Sequence, residues 1–486
     1  MSYMEPEERR ALLEELSELQ SSADTYGDEV ARFFLPLPLH GRALDERTFI
    51  VRGERGAGKT ALFQFLTRRG MDRALLQRLF PRVRIPDAVW VEGFSEGPAH
   101  PSVQALDAFG KDADDEGLRA LWTIHLVGVL ATSLADDAPE EPERLSVWRS
   151  HLHEPSLWLE ELRPGLGGVL GWLDEVERRL AARGKSCLIT YDHLDRIGLH
   201  QGSSLRERYA GTLLSLWQSL TSRYRRICPK VFLREDLFAA SQRAFTDASK
   251  LEARSVALLW DQESLYRLLI RHMAGSERLR GWLQRGGNGV PLREDPVLGW
   301  LPPEALPETG RPSVSGFAKH LAGESMGEGV KKGRSYRWIL NHLQDAHVRV
   351  VPRSLLNLIG IAAREALERG PAGQHDRLLD PTELAIALDE TSRRRVKELE
   401  EEHPVVRRLR NLSGLVLMLD RDVVEERLAQ HAPGEDGGFG DDGRRVTEEL
   451  IGIGVLRVRP DGRIDVPDLY RYGFDIKRKG GVRRPV

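Results

Sequence analysis

The sequence predicts an α/β fold in which helices cover both faces of a parallel sheet. Short β-rich runs alternate with helical stretches in the first half of the chain, and this alternation is typical of parallel sheets. After residue 260 the pattern becomes mostly helical. The chain has 486 residues, which is too long for one hydrophobic core; ~150 residues per domain gives about three. The predicted strands are 48–52, 88–93, 186–192, 230–234 and 255–259.

Changes in composition divide the chain into four predicted segments. A helical insertion is expected at about 94–165, and Gly- and Pro-rich stretches at 286–335 predict a loop-rich insertion. A helix followed by a hairpin with the turn Asp461-Gly462 resembles a winged helix. The segments are an N-terminal helix and connector (1–44), the α/β core (45–260), a helical lid (261–375) and a winged-helix-like domain with a basic tail (376–486).

Composition and charge narrow the class of protein. The net charge of −3 gives no global attraction to nucleic acid or an anionic membrane, so such contacts need a local patch. The two cysteines, Cys187 and Cys228, are too few for a disulfide framework. The acidic N-terminus does not resemble a signal peptide, and no apolar run approaches the ~18 residues of a membrane helix. We expect a cytoplasmic protein with no membrane partner.

Residues 53–60, GERGAGKT, fit the pattern G-x-x-x-x-G-K-[ST] between a predicted strand and a helix. Glycines let the backbone curl so that successive N–H groups point at phosphate oxygens. Lys59 is placed to reach the β- and γ-phosphates, and the Thr60 hydroxyl to ligate Mg²⁺. The alternative is a Gly-rich turn with a coincidental Lys-Thr pair. The motif predicts ATP with Mg²⁺ as ligand, bound by Gly53, Glu54, Arg55, Gly56, Ala57, Gly58, Lys59, Thr60 and Ala61.

A second motif, which contains two aspartates, lies at the end of the third predicted strand. SCLITYDHLDR places apolar residues before Asp192, as in a Walker B strand. A carboxylate at this end of a strand can hold Mg²⁺ directly or through water. Asp195, one turn further on, is a candidate for polarising the attacking water. The alternative is an ordinary strand that ends in a solvated Asp-x-x-Asp turn.

Two arginines are candidate sensors of the bound phosphates, because the planar guanidinium pairs well with phosphate oxygens. Arg234 ends the strand KVFLR, and Arg353 follows Pro352 at the start of a predicted helix. For each, the alternative is a surface salt bridge. Weaker candidates for an arginine supplied to a neighbouring subunit are Arg225, Arg226 and Arg243.

In this order, GERGAGKT, YDHLDR, FLRED and VPRSLLNL resemble the AAA-type ATPases of the origin-recognition and STAND kind. YDHLDR is also similar to the D-D-L-D-R signature of the KAP ATPases. The resemblance implies a Mg²⁺-dependent ATPase core, a helical lid, a winged helix and a nucleotide-controlled homo-oligomer or complex with a partner protein. Many bacterial relatives act in DNA transactions or antiviral defence. His193 stands where many such ATPases have a catalytic glutamate, which leaves the hydrolysis rate open.

The C-terminal tail is strongly basic and is a candidate DNA-binding segment, since contacts with phosphates release counterions. Tyr470 and Tyr472 are candidates for stacking on bases or for packing. The alternatives are a solvated tail or a winged helix used for protein contacts. The basic residues are Arg471, Lys477, Arg478, Lys479, Arg483 and Arg484.

Two functions therefore remain open. The first is an ATPase switch that assembles and acts on DNA or a DNA-bound partner. The second is a defence or signalling ATPase with slow hydrolysis, whose output is protein contacts. A phosphotransferase is disfavoured because no second substrate motif is visible. The sequence also has no N-K-x-D guanine signature and no L-S-G-G-Q motif, which disfavours a GTPase and an ABC ATPase.

Overall fold

The structure is a computed structural model, and its described residues form two compact units. We call residues 36–258 the sheet unit, and residues 1–35 together with 259–486 the helical unit. The described residues are 4–69, 72–134, 138–140, 142, 144–198, 203–244, 248–285, 289–327, 333–370, 376–433 and 438–478.

The helices are α1 Pro6–Ser17, α2 Val30–Phe33, α3 Pro38–Leu44, α4 Lys59–Arg69, α5 Arg73–Leu79, α6 Val103–Asp112, α7 Asp115–Ser133, α8 Leu145–Ser150, α9 Pro155–Leu162, α10 Leu166–Ala182, α11 Ser203–Arg223, α12 Glu235–Ala244, α13 Ala248–Ala253, α14 Gln262–Met273, α15 Glu277–Gln284, α16 Val314–Ala322, α17 Ser335–Leu343, α18 Pro352–Arg369, α19 Pro381–Glu402, α20 Arg421–Leu428, α21 Gly443–Gly452 and α22 Asp468–Arg471. The strands are β1 Ile50–Gly53, β2 Ala88–Phe94, β3 Ser186–Tyr191, β4 Ile227–Arg234, β5 Ser255–Ala257, β6 Arg293–Asp295, β7 Gly299–Leu301, β8 Val416–Leu417, β9 Arg457–Val458, β10 Ile464–Asp465 and β11 Lys477–Arg478. Among these helices, none combines the length and apolar character needed to cross a membrane.

The sheet unit contains a five-stranded parallel sheet with the order β2-β3-β4-β1-β5. This confirms the predicted fold class and all five predicted strands. The inner strands β3 and β4 are buried along their whole length, as expected for parallel strands covered on both faces. Because the strands are parallel, the segments that follow β1, β2, β3 and β4 meet at one edge of the sheet, which we call the carboxyl edge.

Helix α7 packs into the same apolar core as the sheet. The Trp122 ring makes edge-to-face contacts with Phe94 at 5.6 Å, Tyr191 at 6.1 Å and Tyr209 at 6.0 Å, a favourable geometry for aromatic pairs. The segment that the sequence analysis treats as a helical insertion contains α6 to α9. Burial of α7 against β2 and β3 makes this helix part of the packing that supports the sheet.

A buried lysine ties β4 to the connector that precedes β1. The Lys230 Nζ donates hydrogen bonds to the carbonyl oxygens of Asp45 and Thr48, the second at 2.6 Å. Burial lowers the pKa of Lys230 from 10.5 to about 8, against the raising effect of neighbouring Cys228. A neutral amine still has two N–H groups, enough for both carbonyls.

In the helical unit, α1 packs on α18, and α18 packs on α19. A buried ion pair fixes α1: the Arg9 Nη2 lies 3.1 Å from the Glu383 Oε1 of α19. Near the C-terminus, α20 and α21 are followed by the antiparallel pair β9 and β10. The predicted hairpin at Asp461-Gly462 is therefore confirmed, with Gly462 at a φ of 82°. Strand β11 pairs with β8 in parallel.

Candidate functional site

The predicted phosphate loop lies between β1 and α4, as the motif requires. Gly56 and Gly58 have φ angles of 81° and 95°, in the left-handed region that side chains with a Cβ disfavour. The Ala57 amide donates to the Glu54 carbonyl oxygen at 3.1 Å and closes a turn within the loop. The first N–H groups of α4, at Lys59, Thr60 and Ala61, lack intrahelical acceptors and suit an anion.

Lys59 folds back over this loop. Its Nζ donates hydrogen bonds to the carbonyl oxygens of Gly53 at 2.8 Å and Glu54 at 3.0 Å. These bonds span the loop from its first residue to the start of the helix. The ammonium is therefore held at the place where the loop and helix amides converge, and it adds a full positive charge there.

Thr60 and Asp192 face each other at the carboxyl edge. Burial raises the pKa of Asp192, while the His193 charge and a hydrogen bond from the Thr60 hydroxyl oppose that effect. The Asp192 Oδ2 is buried and has no hydrogen-bond partner within the described chain. The His193 Nε2 lies 3.7 Å from this oxygen, beyond hydrogen-bond distance. A buried carboxylate oxygen without a hydrogen bond is costly, and a cation shared with the Thr60 hydroxyl would satisfy it. The predicted Mg²⁺ ligands thus fit a metal by their chemistry.

No larger metal cage exists among the described residues: they contain no group of three or more His, Cys, Asp or Glu side chains that could hold an ion. Mg²⁺ accepts one or two protein oxygens when phosphate and water supply the rest. A site made from Thr60 and Asp192 therefore implies that the nucleotide completes the coordination.

Asp195 and Arg234 form an ion pair at the same edge. The Arg234 Nη1 lies 3.7 Å from the Asp195 Oδ2, and the Arg234 Nε and Nη2 bond to the two carboxylate oxygens of Asp236 at 2.9 and 2.7 Å. Burial raises the pKa of Asp195, but the charges of Arg234, Lys59 and His193 outweigh burial, and the pKa is lowered overall. The structure thus brings Lys59, Asp195 and Arg234 into one electrostatic group.

A second polar cluster at this edge was not predicted from the sequence. The Glu92 Oε1, near the end of β2, lies 3.2 Å from the His100 Nε2, and the His100 Nδ1 lies 3.2 Å from the His125 Nε2 of α7. The Ser95 hydroxyl also donates to Glu92. One sequence signal was present: Glu92 is a carboxylate at the end of a predicted strand. The two histidines come from a loop and a helix, and their spacing gives no pattern.

Arg353 belongs to the helical unit, at the start of α18 after Pro352. Its Nη1 lies 3.3 Å from the Glu398 Oε1, and its Nη2 donates to the Ser22 hydroxyl at 3.3 Å. The Nε is buried without a hydrogen-bond partner in the described part of that unit. The role of Arg353 as a phosphate sensor stays a prediction.

Two of the three candidate arginines for a neighbouring subunit, Arg225 and Arg226, lie away from the carboxyl edge. Arg225 and Arg226 immediately precede β4, and their backbone amides donate to Glu177. They are therefore at the opposite edge of the sheet from the phosphate loop. The Arg243 side chain lies outside the described residues.

The described part of the basic tail is largely neutralised within the helical unit. The Arg478 Nη2 lies 2.7 Å from the Asp465 Oδ1, and the Arg471 Nε lies 2.9 Å from the Asp468 Oδ1. Lys477 is exposed. Outside the described residues are Lys479, Arg483 and Arg484.

The two tail tyrosines differ in their environment. Tyr470 is buried and packs in the core of the helical unit, so it is not presented to bases. Tyr472 is half-buried, and the Arg471 guanidinium lies 4.0 Å from its ring centroid.

The parallel sheet order and the glycine-containing loop after β1 define the α/β fold of the P-loop NTPases. Solved structures similar to this chain include ORC proteins of Aeropyrum pernix. The ORC2 protein in ADPNP–ADP complexes is 12% identical with a TM-score of 0.31, covering 95% of this chain and 96% of that chain. The ORC1 protein in complex with DNA is 13% identical with a TM-score of 0.33, covering 96% and 95%. The ADP form of the ORC2 protein is 12% identical with a TM-score of 0.30, covering 87% and 83%.

A scan against protein-family models and a search of curated proteins both found no match to this chain. At the identities and TM-scores given above, similarity says nothing about what this chain binds.

Proposed function

We propose that this protein is a Mg²⁺-dependent ATPase that works as a molecular switch. The observation that carries the proposal is the meeting of Lys59 and Thr60, at the phosphate loop, with Asp192, at the end of β3. Loop amides and Lys59 suit the β- and γ-phosphates. Mg²⁺ held by Thr60 and Asp192 would neutralise charge on the phosphate oxygens during transfer. The sequence has no guanine signature, which favours ATP over GTP.

The electrostatic group of Lys59, Asp195 and Arg234 supports a role in sensing the γ-phosphate. Arg234 is held by two carboxylates, so it is in a fixed position near the loop lysine. An incoming phosphate would compete with Asp195 for the same guanidinium. Such competition is a physical basis for a switch, because the bound nucleotide decides which partner Arg234 takes.

For the output we propose that the protein assembles and acts on DNA or a DNA-bound partner, through a winged-helix-like domain. The exposed Lys477 and the basic residues that follow it support this function. The alternative output, protein contacts in defence or signalling, is favoured by the pairing of Arg471 and Arg478 with acids of their own domain. Both outputs fit a homo-oligomer or a partner protein. The buried free thiols of Cys187 and Cys228 suit a cytoplasmic protein.

ATP binding and hydrolysis test the core of the proposal. We expect calorimetry to detect ATP binding by the wild type and not by Lys59→Ala, because that variant loses the positive charge of the loop. A charge-assisted contact of this kind contributes about 100-fold to the affinity. Lys111→Ala is the matched control, since Lys111 is exposed at the end of α6. Unchanged ATP affinity in Lys59→Ala would contradict the assignment of the loop.

A further inference from the structure

Glu92 lies near the end of β2, on the strand that neighbours β3, and β3 leads to the candidate Mg²⁺ ligand Asp192. In β2, Glu92 stands opposite Thr190 of β3, and a bulge follows between Glu92 and Phe94. The intervening Gly93 packs so closely on β3 that a Cβ there would lie 2.4 Å from the Ile189 Cγ2. Bulges of this kind redirect side chains beside active sites.

The Glu92 carboxylate is held by polar groups that follow it at the carboxyl edge. It accepts a hydrogen bond from the Ser95 hydroxyl, and its Oε1 lies 3.2 Å from the His100 Nε2. Because a carboxylate can only accept, the His100 Nε2 is the donor. The other ring nitrogen of His100, Nδ1, lies 3.2 Å from the Nε2 of His125 in α7. His125, His100 and Glu92 thus form a hydrogen-bonded chain that runs from α7 to the sheet.

The charge states in this cluster favour an ionised Glu92. Burial raises the pKa of Glu92, but the hydrogen bonds from His100 and Ser95 and the charges of His100 and His193 outweigh burial and lower the pKa overall. Burial lowers the pKa of His125 to about 3, so this ring is neutral. The His100 side chain is buried, with 2% of its surface exposed, whereas the Glu92 side chain is 39% exposed. The carboxylate is thus both oriented and reachable.

Three other carboxylates at this edge, Asp192, Asp195 and Glu96, are each directed at another group. Asp192 faces Thr60 and fits a metal ion, while Asp195 pairs with Arg234. Glu96, which follows β2, is bonded to Arg196. Of these groups, Glu92 combines partial exposure with hydrogen bonds that orient its carboxylate, which is what a group that orients water needs.

We infer that Glu92 is the carboxylate that orients and deprotonates the attacking water, and this inference rests on the ATP hydrolysis proposed above. The water proton moves to a Glu92 oxygen as the water oxygen bonds to the γ-phosphorus. The bond between that phosphorus and the β–γ bridging oxygen breaks, leaving ADP with both bonding electrons. Glu92 then releases the proton to solvent. His100 is a positioning residue, which acts through Glu92.

The test is Glu92→Gln, which keeps an acceptor oxygen for Ser95 and His100 but cannot take the proton. We expect the single-turnover rate of ATP hydrolysis to fall about 100-fold or more, as for the loss of a general base, with ATP affinity within about twofold. Glu96→Gln is the matched control on the same segment and keeps the wild-type rate. If Glu92→Gln does not fold, Glu92→Asp provides the same test, because it draws the carboxylate back by one methylene.

His100→Asn separates positioning from simple structural support. We expect a fall of about tenfold in kcat with KM unchanged, and no further loss when it is combined with Glu92→Gln, because both changes disable one unit. Additive losses would overturn the role of His100. A folded Glu92→Gln that hydrolyses ATP at the wild-type rate would overturn the inference alone. A wild type that binds but does not hydrolyse ATP would overturn both the inference and the proposed hydrolysis.

Discussion

The Arg234 guanidinium lies 3.7 Å from the Asp195 carboxylate, which links the end of β4 to the turn after β3. The same Arg234 makes two shorter bonds to Asp236, next to it in the chain. Arg234 is thus shared between a local partner and a distant one. The distant partner lies on the segment that carries the candidate metal ligand, so this ion pair connects two predicted site motifs.

Asp195→Asn tests that connection. It preserves the shape of the side chain and removes a negative charge near Arg234 and Lys59. We expect hydrolysis to slow by about tenfold, equivalent to about 1.4 kcal/mol of transition-state stabilisation, with ATP binding retained. The measurement is steady-state hydrolysis with a parallel binding titration. In a double-mutant cycle with Arg234→Lys, the two effects should be non-additive by about 0.5–3 kcal/mol; additive effects would show that the pair is not coupled.

Asp192→Asn addresses the metal ligands. We expect the variant to bind ATP without Mg²⁺ as the wild type does, and to lose Mg²⁺-dependent hydrolysis by about 100-fold or more, because an amide is a poor ligand for a hard cation. Asp174→Asn is the control, since Asp174 is a half-buried acid of α10 that pairs with Arg223 at the surface. Wild-type hydrolysis by Asp192→Asn would mean that another acid holds the metal.

The buried Lys230 should make the free energy of unfolding depend on pH. Its pKa is lowered by burial to about 8 in the folded chain, against an ordinary value of 10.5. Between these values the unfolded chain binds more protons than the folded one, so the free energy of unfolding rises with pH across this window, by at most about 3 kcal/mol. Urea unfolding of the wild type at pH 7.5 and 9.5, compared with Lys230→Met, isolates this effect.

Lys230→Met should be less stable overall, because two carbonyl oxygens lose their donor, and it should lack the extra rise with pH. Lys111→Met, at an exposed position of α6, should behave as the wild type does. If the free energy of unfolding of Lys230→Met rises with pH as much as that of the wild type, the rise comes from another group.

The basic tail distinguishes the two proposed outputs. We expect a variant with four tail cations replaced by Ala to bind duplex DNA more weakly at every sequence, with the slope of log K against log salt flattened by up to about four units. ATP hydrolysis should be unchanged. Arg471 and Arg478 are left intact, because their pairing with acids gives them a structural role. The replaced residues are Lys477, Lys479, Arg483 and Arg484.

The control for this experiment removes four exposed cations from the sheet unit, and it should leave DNA affinity unchanged. A wild type with no DNA affinity at low salt would discard the DNA output and favour protein contacts, with the ATPase proposal intact. The control residues are Arg73, Arg82, Lys111 and Arg183.

Sequence alone determined the strands of the sheet and the tight glycine-containing loop after β1. Both depend on local chemistry: apolar runs of strand length identify buried parallel strands, and a loop with left-handed backbone conformations requires glycine at fixed positions such as Gly56 and Gly58. The acidic end of β3 was also predicted, because a carboxylate that follows a buried strand must emerge at the carboxyl edge. These features are confined to a few consecutive residues, so no knowledge of distant packing was needed.

Tertiary structure alone decided which distant side chains meet. His100 reaches Glu92 from a loop, and His125 reaches His100 because α7 packs on the sheet; no spacing in the sequence encodes either contact. Arg478 similarly looked like a free DNA contact until the fold placed Asp465 beside it. Pairings of this kind depend on how helices and strands pack across long stretches of chain, and so the polar network around the loop became visible only in three dimensions.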